Sequence, residues 1–174
     1  MASMSDFGIG ELTWRYPERE GQPFVLRDDG TEVGCLHFRE RPQGKSTGEF
    51  GGKTWAFEYS ADLHPRVTIF DADSQALAEY VPSLAGGGVV SFHSGVRYRW
   101  RRANVWGTKW CFCHPEQKSS VCVSQETGAL TAGGKVAVCC GSSGLVETPV
   151  LLLLAWFLRI LQFEMLTEGN SRIG

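Results

Sequence analysis

The chain has no marked excess of charge of either sign. Its 17 basic and 19 acidic side chains leave a formal net charge of −2 across 174 residues. A polyanion partner such as nucleic acid is therefore not expected, because that interaction draws its affinity from a large positive surplus. Any anion site has to be local. Helical periodicity is also missing between Leu12 and Gly141, which excludes a βαβ protein. The opening MASMSDFGIGE lacks a basic segment followed by an apolar one, so no secretory leader is expected there and a cytoplasmic location is. Nucleophile elbows, P-loops, dinucleotide-binding glycine patterns and zincin helices are all absent. The glycine run before Val89 leads into a strand pattern and not a helix, so it forms no phosphate cradle. On these grounds the chain is read as a non-enzymatic binding or scaffold protein that needs no cofactor.

What is present is a long series of short β-type runs. LTWRYP, PFVLRD, EVGCLHF, KTWAFEYS, RVTIFDA, ALAEYV, GVVSFHS, VRYRWRR, KWCFCH, SVCVSQ and KVAVCC follow one another, separated by turns rich in Gly, Asp, Ser and Pro. Alternation puts Trp55, Phe57 and Tyr59 on one face of their run. It also sets Tyr98 and Trp100 against Arg97, Arg99 and Arg101. Runs with one apolar face must bury it, in a sandwich or in a closed barrel. About twelve antiparallel strands would leave a bore close to the ~10 Å width of a helix.

One segment suits that bore. In TPVLLLLAWFLRILQFEM, Thr148 is a good helix cap, Pro149 suits the first turn, and the residues from Val150 to Leu158 are apolar on every side. A helix over about 149–166 rises ~27 Å, short of the ~30 Å hydrocarbon layer. Arg159, Gln162 and Glu164 break up its second half, and a charge at mid-bilayer is costly. We therefore expect a core helix inside the barrel and no transmembrane span. The expected organisation is a loose tail over 1–11, one barrel domain over 12–166 and a second tail over 167–174.

This order of elements resembles the Tubby C-terminal-like superfamily, which includes tubby domains, phospholipid scramblases and LURP-one-related proteins. The phrases that carry the resemblance are LTWRYP…PFVLRDDGTEVGCLHF, TWAFEYS…RVTIFDADSQALAEY, GVRYRWRRANVWGTKWCF and TPVLLLLAWFL, and they are most similar to the compact, uncharacterised bacterial members. The resemblance implies a mainly β fold, a closed antiparallel barrel of about twelve strands around a hydrophobic C-terminal helix. It also implies contact with anionic phospholipid or phosphoinositide head groups through a basic strand. The scramblases' acidic calcium segment, proline-rich N-terminal region and clustered palmitoylation cysteines have no counterpart here.

Three clusters could carry chemistry. Arg97, Arg99 and Arg101, with Lys109 on the next strand, form a ladder of forked cations suited to oxyanions; the alternative is a solvated face whose arginines pair with neighbouring carboxylates. Cys111, Cys113 and His114 are candidate metal or thiol residues, but no second ligand pair has suitable spacing. Asp62, His64, Asp71 and Asp73 read as turn residues. The six cysteines are expected to be reduced thiols, since a chain of this size needs no staples.

Overall fold

A computed structural model describes residues 11–15, 17–19, 21–38, 45–116, 121–125, 133–138 and 146–171, with the side chains of 125 and 163–171 left aside. Twelve strands run in chain order: β1 Glu11–Arg15, β2 Phe24–Asp28, β3 Thr31–His37, β4 Lys45–Phe50, β5 Lys53–Ser60, β6 Arg66–Phe70, β7 Ala76–Pro82, β8 Gly88–Phe92, β9 Arg97–Arg102, β10 Lys109–Cys113, β11 Val121–Gln125 and β12 Gly134–Val138. Each pairs antiparallel with the next. The barrel closes where β1 meets β12, with Leu12 opposite Val136, so no sheet edge is left open. The expected fold class is the one observed.

Alternation decides what lines the interior. Trp14, Leu26, Leu36, Phe57, Ile69, Tyr80, Val90, Trp100, Phe112 and Val123 are all buried there. Down the middle runs α1, Thr148–Ser171. Every side chain from Val150 to Leu158 is buried, together with Ile160 and Leu161. A helix apolar all round needs apolar neighbours all round, and the barrel supplies them. Phe157 stacks between Phe38 and Phe57, while Trp156 packs against Trp14 and Phe24. Among the described residues no helix is long and apolar enough to cross a membrane.

The direction of α1 fixes the two ends of the barrel. Its first turn lies near Tyr98, at the start of β9, where burial and then the Glu147 carboxylate push the phenol pKa up. Trp156 and Phe157 lie near the chain ends of β1, β2 and β3 that flank the 16–23 and 38–44 connections. The helix thus enters beside the β8–β9 turn and leaves through the opposite mouth, at the end that carries the β5–β6, β7–β8 and β9–β10 connections. At that mouth Arg159 is half-buried and donates from Nη1 to Gln162 Oε1 at 3.2 Å.

Several boundaries differ from the sequence reading. The helix runs past Leu166 to Ser171, and its first backbone bond reaches the Glu147 carbonyl, so Thr148 lies inside the helix and not before it. Glu11 belongs to β1 and pairs with Lys135 at 2.6 Å. Tail residues 1–10 and 172–174 lie outside the described residues, as does the Glu164 side chain. The strand absent from the sequence reading is β4, KSTGEF, which carries no aliphatic residue. Its inward positions are Ser46, Gly48 and Phe50. Ser46 and Gly48 are small, and at Gly48 the helix passes close by: a Cβ there would sit 3.1 Å from a Leu153 methyl and 3.2 Å from the Phe57 ring. The backbone approaches to where a side chain would otherwise be, and the usual β signature is lost.

Candidate functional site

Strand β9 is built from two opposed faces. Tyr98 and Trp100 are buried in the barrel, and Trp100 stacks on Trp110 at 5.6 Å and meets Phe112 at 4.7 Å. This aromatic anchoring locks the register of β9, which sends Arg97, Arg99 and Arg101 outward together. Cross-strand pairing then fixes their neighbours. Arg97 lies opposite Ser91, Arg99 opposite Val89 on one side and Cys113 on the other, and Arg101 opposite Cys111.

The three arginines line a groove of about 600 Å³ on the outer surface of β8–β10. Val89 forms its apolar flank, and Cys113, His114, Pro115 and Glu116 form the opposite wall. Among the described residues no carboxylate lies within ion-pair distance of Arg97, Arg99 or Arg101; the ion pairs are elsewhere, at Arg66–Glu79 and Lys135–Glu11. Among the described residues, then, the ladder arginines are not paired with carboxylates on the neighbouring strands. Arg101 is steadied through Nε, which donates to Cys113 Sγ at 3.2 Å and leaves its terminal nitrogens for other acceptors. At the groove's end by the β8–β9 turn, Tyr98 and His114 meet edge-on at 5.4 Å. His114 Nδ1 accepts from the Glu116 amide at 3.2 Å, so Nε2 is the nitrogen left to face a ligand. Three planar cations beside an apolar strip suit an oxyanion attached to a less polar body. Glu116 is the one acidic side chain in the wall and sets a limit on how much negative charge the groove accepts.

Lys109 is exposed and faces outward like the arginines, but it lies beyond Arg101 at the β9–β10 loop and does not line the groove. Sequence spacing put it next to the ladder; the antiparallel register, with Trp110 opposite Arg102, places it at the loop end instead.

The cysteine cluster does not assemble as a metal site. Cys111 and Cys122 face each other on β10 and β11 and form a disulfide, which overturns the expectation of reduced thiols. The physical reason is register: directly opposed positions of an antiparallel pair bring two Cβ atoms within bridging distance, here with Cα atoms 4.1 Å apart. Cys113, on the same outer face, is a buried free thiol, and His114 is held by its own turn. Among the described residues no group of three His, Cys, Asp or Glu side chains is placed to hold a metal ion. Cys139 and Cys140 lie outside the described residues. Because the bridge closes an eleven-residue separation, its reduction should lower stability by about 3 kcal/mol on a chain-entropy estimate. Urea unfolding with and without a reductant measures this, with Cys111→Ser/Cys122→Ser as the control that removes the bridge permanently.

The acidic group takes the structural role that its spacing suggested. Asp71 Oδ1 accepts from the Asp73 and Gln75 amides at 3.0 and 2.9 Å. Asp62 accepts from the Ser60 hydroxyl and the His64 amide, and these bonds lower its carboxyl pKa.

No family model matches the chain, and neither a curated protein nor a solved structure matches it.

Proposed function

We propose that this protein is a tubby-like, non-enzymatic binding module that docks on an anionic phospholipid surface, with phosphate-bearing head groups such as those of phosphoinositides taken up by Arg97, Arg99 and Arg101. The observation that carries this reading is the groove itself: three outward guanidiniums on one strand, with no carboxylate in ion-pair distance among the described residues, next to the apolar Val89. Guanidinium forks bind phosphate in a bidentate manner, and basic residues near a negative leaflet contribute about 1 kcal/mol each. A barrel already filled by its own helix supports a role for the outer surface and not the interior. The near-neutral total charge favours a focused head-group site over nonspecific polyanion binding.

The anionic leaflet in question is a cytoplasmic one, where the protein would be peripheral. The Cys111–Cys122 bridge pulls the other way, since cystines persist mainly in oxidising compartments. Alkylating free thiols before cell lysis and mapping the peptides decides the compartment.

Co-sedimentation of the purified protein with vesicles tests the binding. Phosphatidylcholine vesicles should leave it in solution, and vesicles that also carry phosphatidylserine or a phosphoinositide should retain it, with binding falling as salt rises. Equal partition to both kinds of vesicle, or to neither at low salt, rejects the proposal.

A further inference from the structure

The mouth from which α1 emerges carries a second feature. Leu63, Leu84, Val105 and Trp106 are the large apolar side chains at the tips of the β5–β6, β7–β8 and β9–β10 loops, and they are 94%, 110%, 87% and 87% exposed. All three loops join an odd strand to the next even one, so the antiparallel order puts them on the same rim. At the opposite rim the described hairpin turns are formed by Asp29 and Gly30, Gly51 and Gly52, 71–75 and 93–96, and none bears an exposed large apolar side chain; Val146, just before the helix, is the exception at that end. Leaving four such side chains in water without a partner forgoes the stabilisation that burial would bring.

The prongs are held in place. Asp62, Ser83 and Asn104 each stand immediately before the apolar tip residue and brace its loop. Asp62 accepts from the His64 amide at 3.0 Å, Ser83 Oγ from the Ala85 amide at 3.4 Å, and Asn104 Oδ1 from the Lys109 amide at 3.1 Å. The β9–β10 loop is tied further by Asn104 Nδ2 to Thr108 Oγ1 at 2.7 Å and by Trp110 Nε1 to the Gly107 carbonyl at 3.0 Å. Trp106 thus projects from an ordered support.

We infer that this rim is the face that enters the bilayer interface: Trp106, Val105 and Leu84 insert among the lipid head groups, while Arg101, at the end of the ladder nearest this rim, and Arg102 and Lys109, which flank the same loop, hold their phosphates. The inference rests on the proposed head-group site and gives it an orientation. Charge supports a lipid occupant over a second copy of this chain. Arg102 lies against Gly107, and Lys109 follows the same loop, so two copies meeting tip to tip would oppose their own cations. Tips two strands apart are spaced by roughly 10 Å, which makes separate prongs and not the continuous patch that a protein interface packs. An indole flanked by cations is the composition found at the membrane interface. Asp62 sits beside Leu63, so that prong inserts least.

The test uses the full chain and vesicles of phosphatidylcholine and phosphatidylserine with bromine-labelled acyl chains. The fluorescence quenched in wild type and retained in Trp106→Phe reports Trp106 alone among the six tryptophans. Quenching of Trp106, together with a roughly tenfold or greater loss of vesicle affinity in Trp106→Glu and an unchanged melt, supports the orientation. If vesicles bind through the arginines while Trp106 stays unquenched and Trp106→Glu binds normally, the orientation is wrong and the head-group site stands. If no anionic vesicle binds, the head-group reading fails and this inference with it. A wild-type dimer that Trp106→Glu converts to a monomer makes the rim a self-contact and overturns the membrane assignment.

Discussion

Leu153→Asp should leave no folded barrel. Leu153 has no solvent exposure, and its methyl groups press on the gap left by Gly48, which the Phe57 ring also borders. Removing a buried leucine side chain costs about 3–5 kcal/mol, and a carboxyl group without a partner adds the penalty of burying an unsatisfied polar group. The sum is comparable with the whole stability of a domain, about 5–15 kcal/mol. Circular dichroism and a thermal melt check it: the variant should lack a cooperative transition, whereas Leu153→Met should lose less than about 1.5 kcal/mol. Truncation before Thr148 should have the same outcome, because Trp14, Phe24, Phe38 and Phe57 would lose the helix rings they pack on. A truncated chain that stays monomeric and melts cooperatively near the parent temperature would show that the helix is not the core.

The triple substitution Arg97→Ser/Arg99→Ser/Arg101→Ser should abolish most binding to anionic vesicles without changing the fold. All three side chains are exposed on the outer face, and substitutions there generally move stability by less than about 0.5 kcal/mol. The loss in binding is far larger. At about 1 kcal/mol for each basic residue at an anionic surface, removing three weakens binding roughly a hundredfold and flattens its salt dependence. Lys109→Ala, outside the groove, should cost about fivefold at most on the same scale. An unchanged affinity in the triple variant would move the site elsewhere on the barrel. The folded state is checked by the same melt that fails in Leu153→Asp.

These two expectations draw on different layers of information. The arginine face could be read directly, because alternation in VRYRWRR is a property of any strand and the two faces are chemically opposite. That the face is a groove could not. Its far wall is Cys113 to Glu116 from β10, brought alongside by pairing that the sequence of β9 does not contain. Lys109 shows the converse: although it is the first residue of β10, the ladder's partner strand, the antiparallel register places it beyond Arg102 and out of the groove. The rim of Leu63, Leu84 and Trp106 went unread for a related reason. Single apolar residues in separate turns have no periodicity, and only the antiparallel order reveals that they share one end.

The sequence by itself determined the mainly β class, the apolar helix and its place inside a barrel, since an all-apolar helix of that length has few other stable surroundings. Only the tertiary structure decided the disulfide, the identity of β4 and the joint position of the groove and the rim. Each of these depends on which residues oppose one another across strands. Pairing of that kind is set by register around the whole barrel, and no local run of residues carries it.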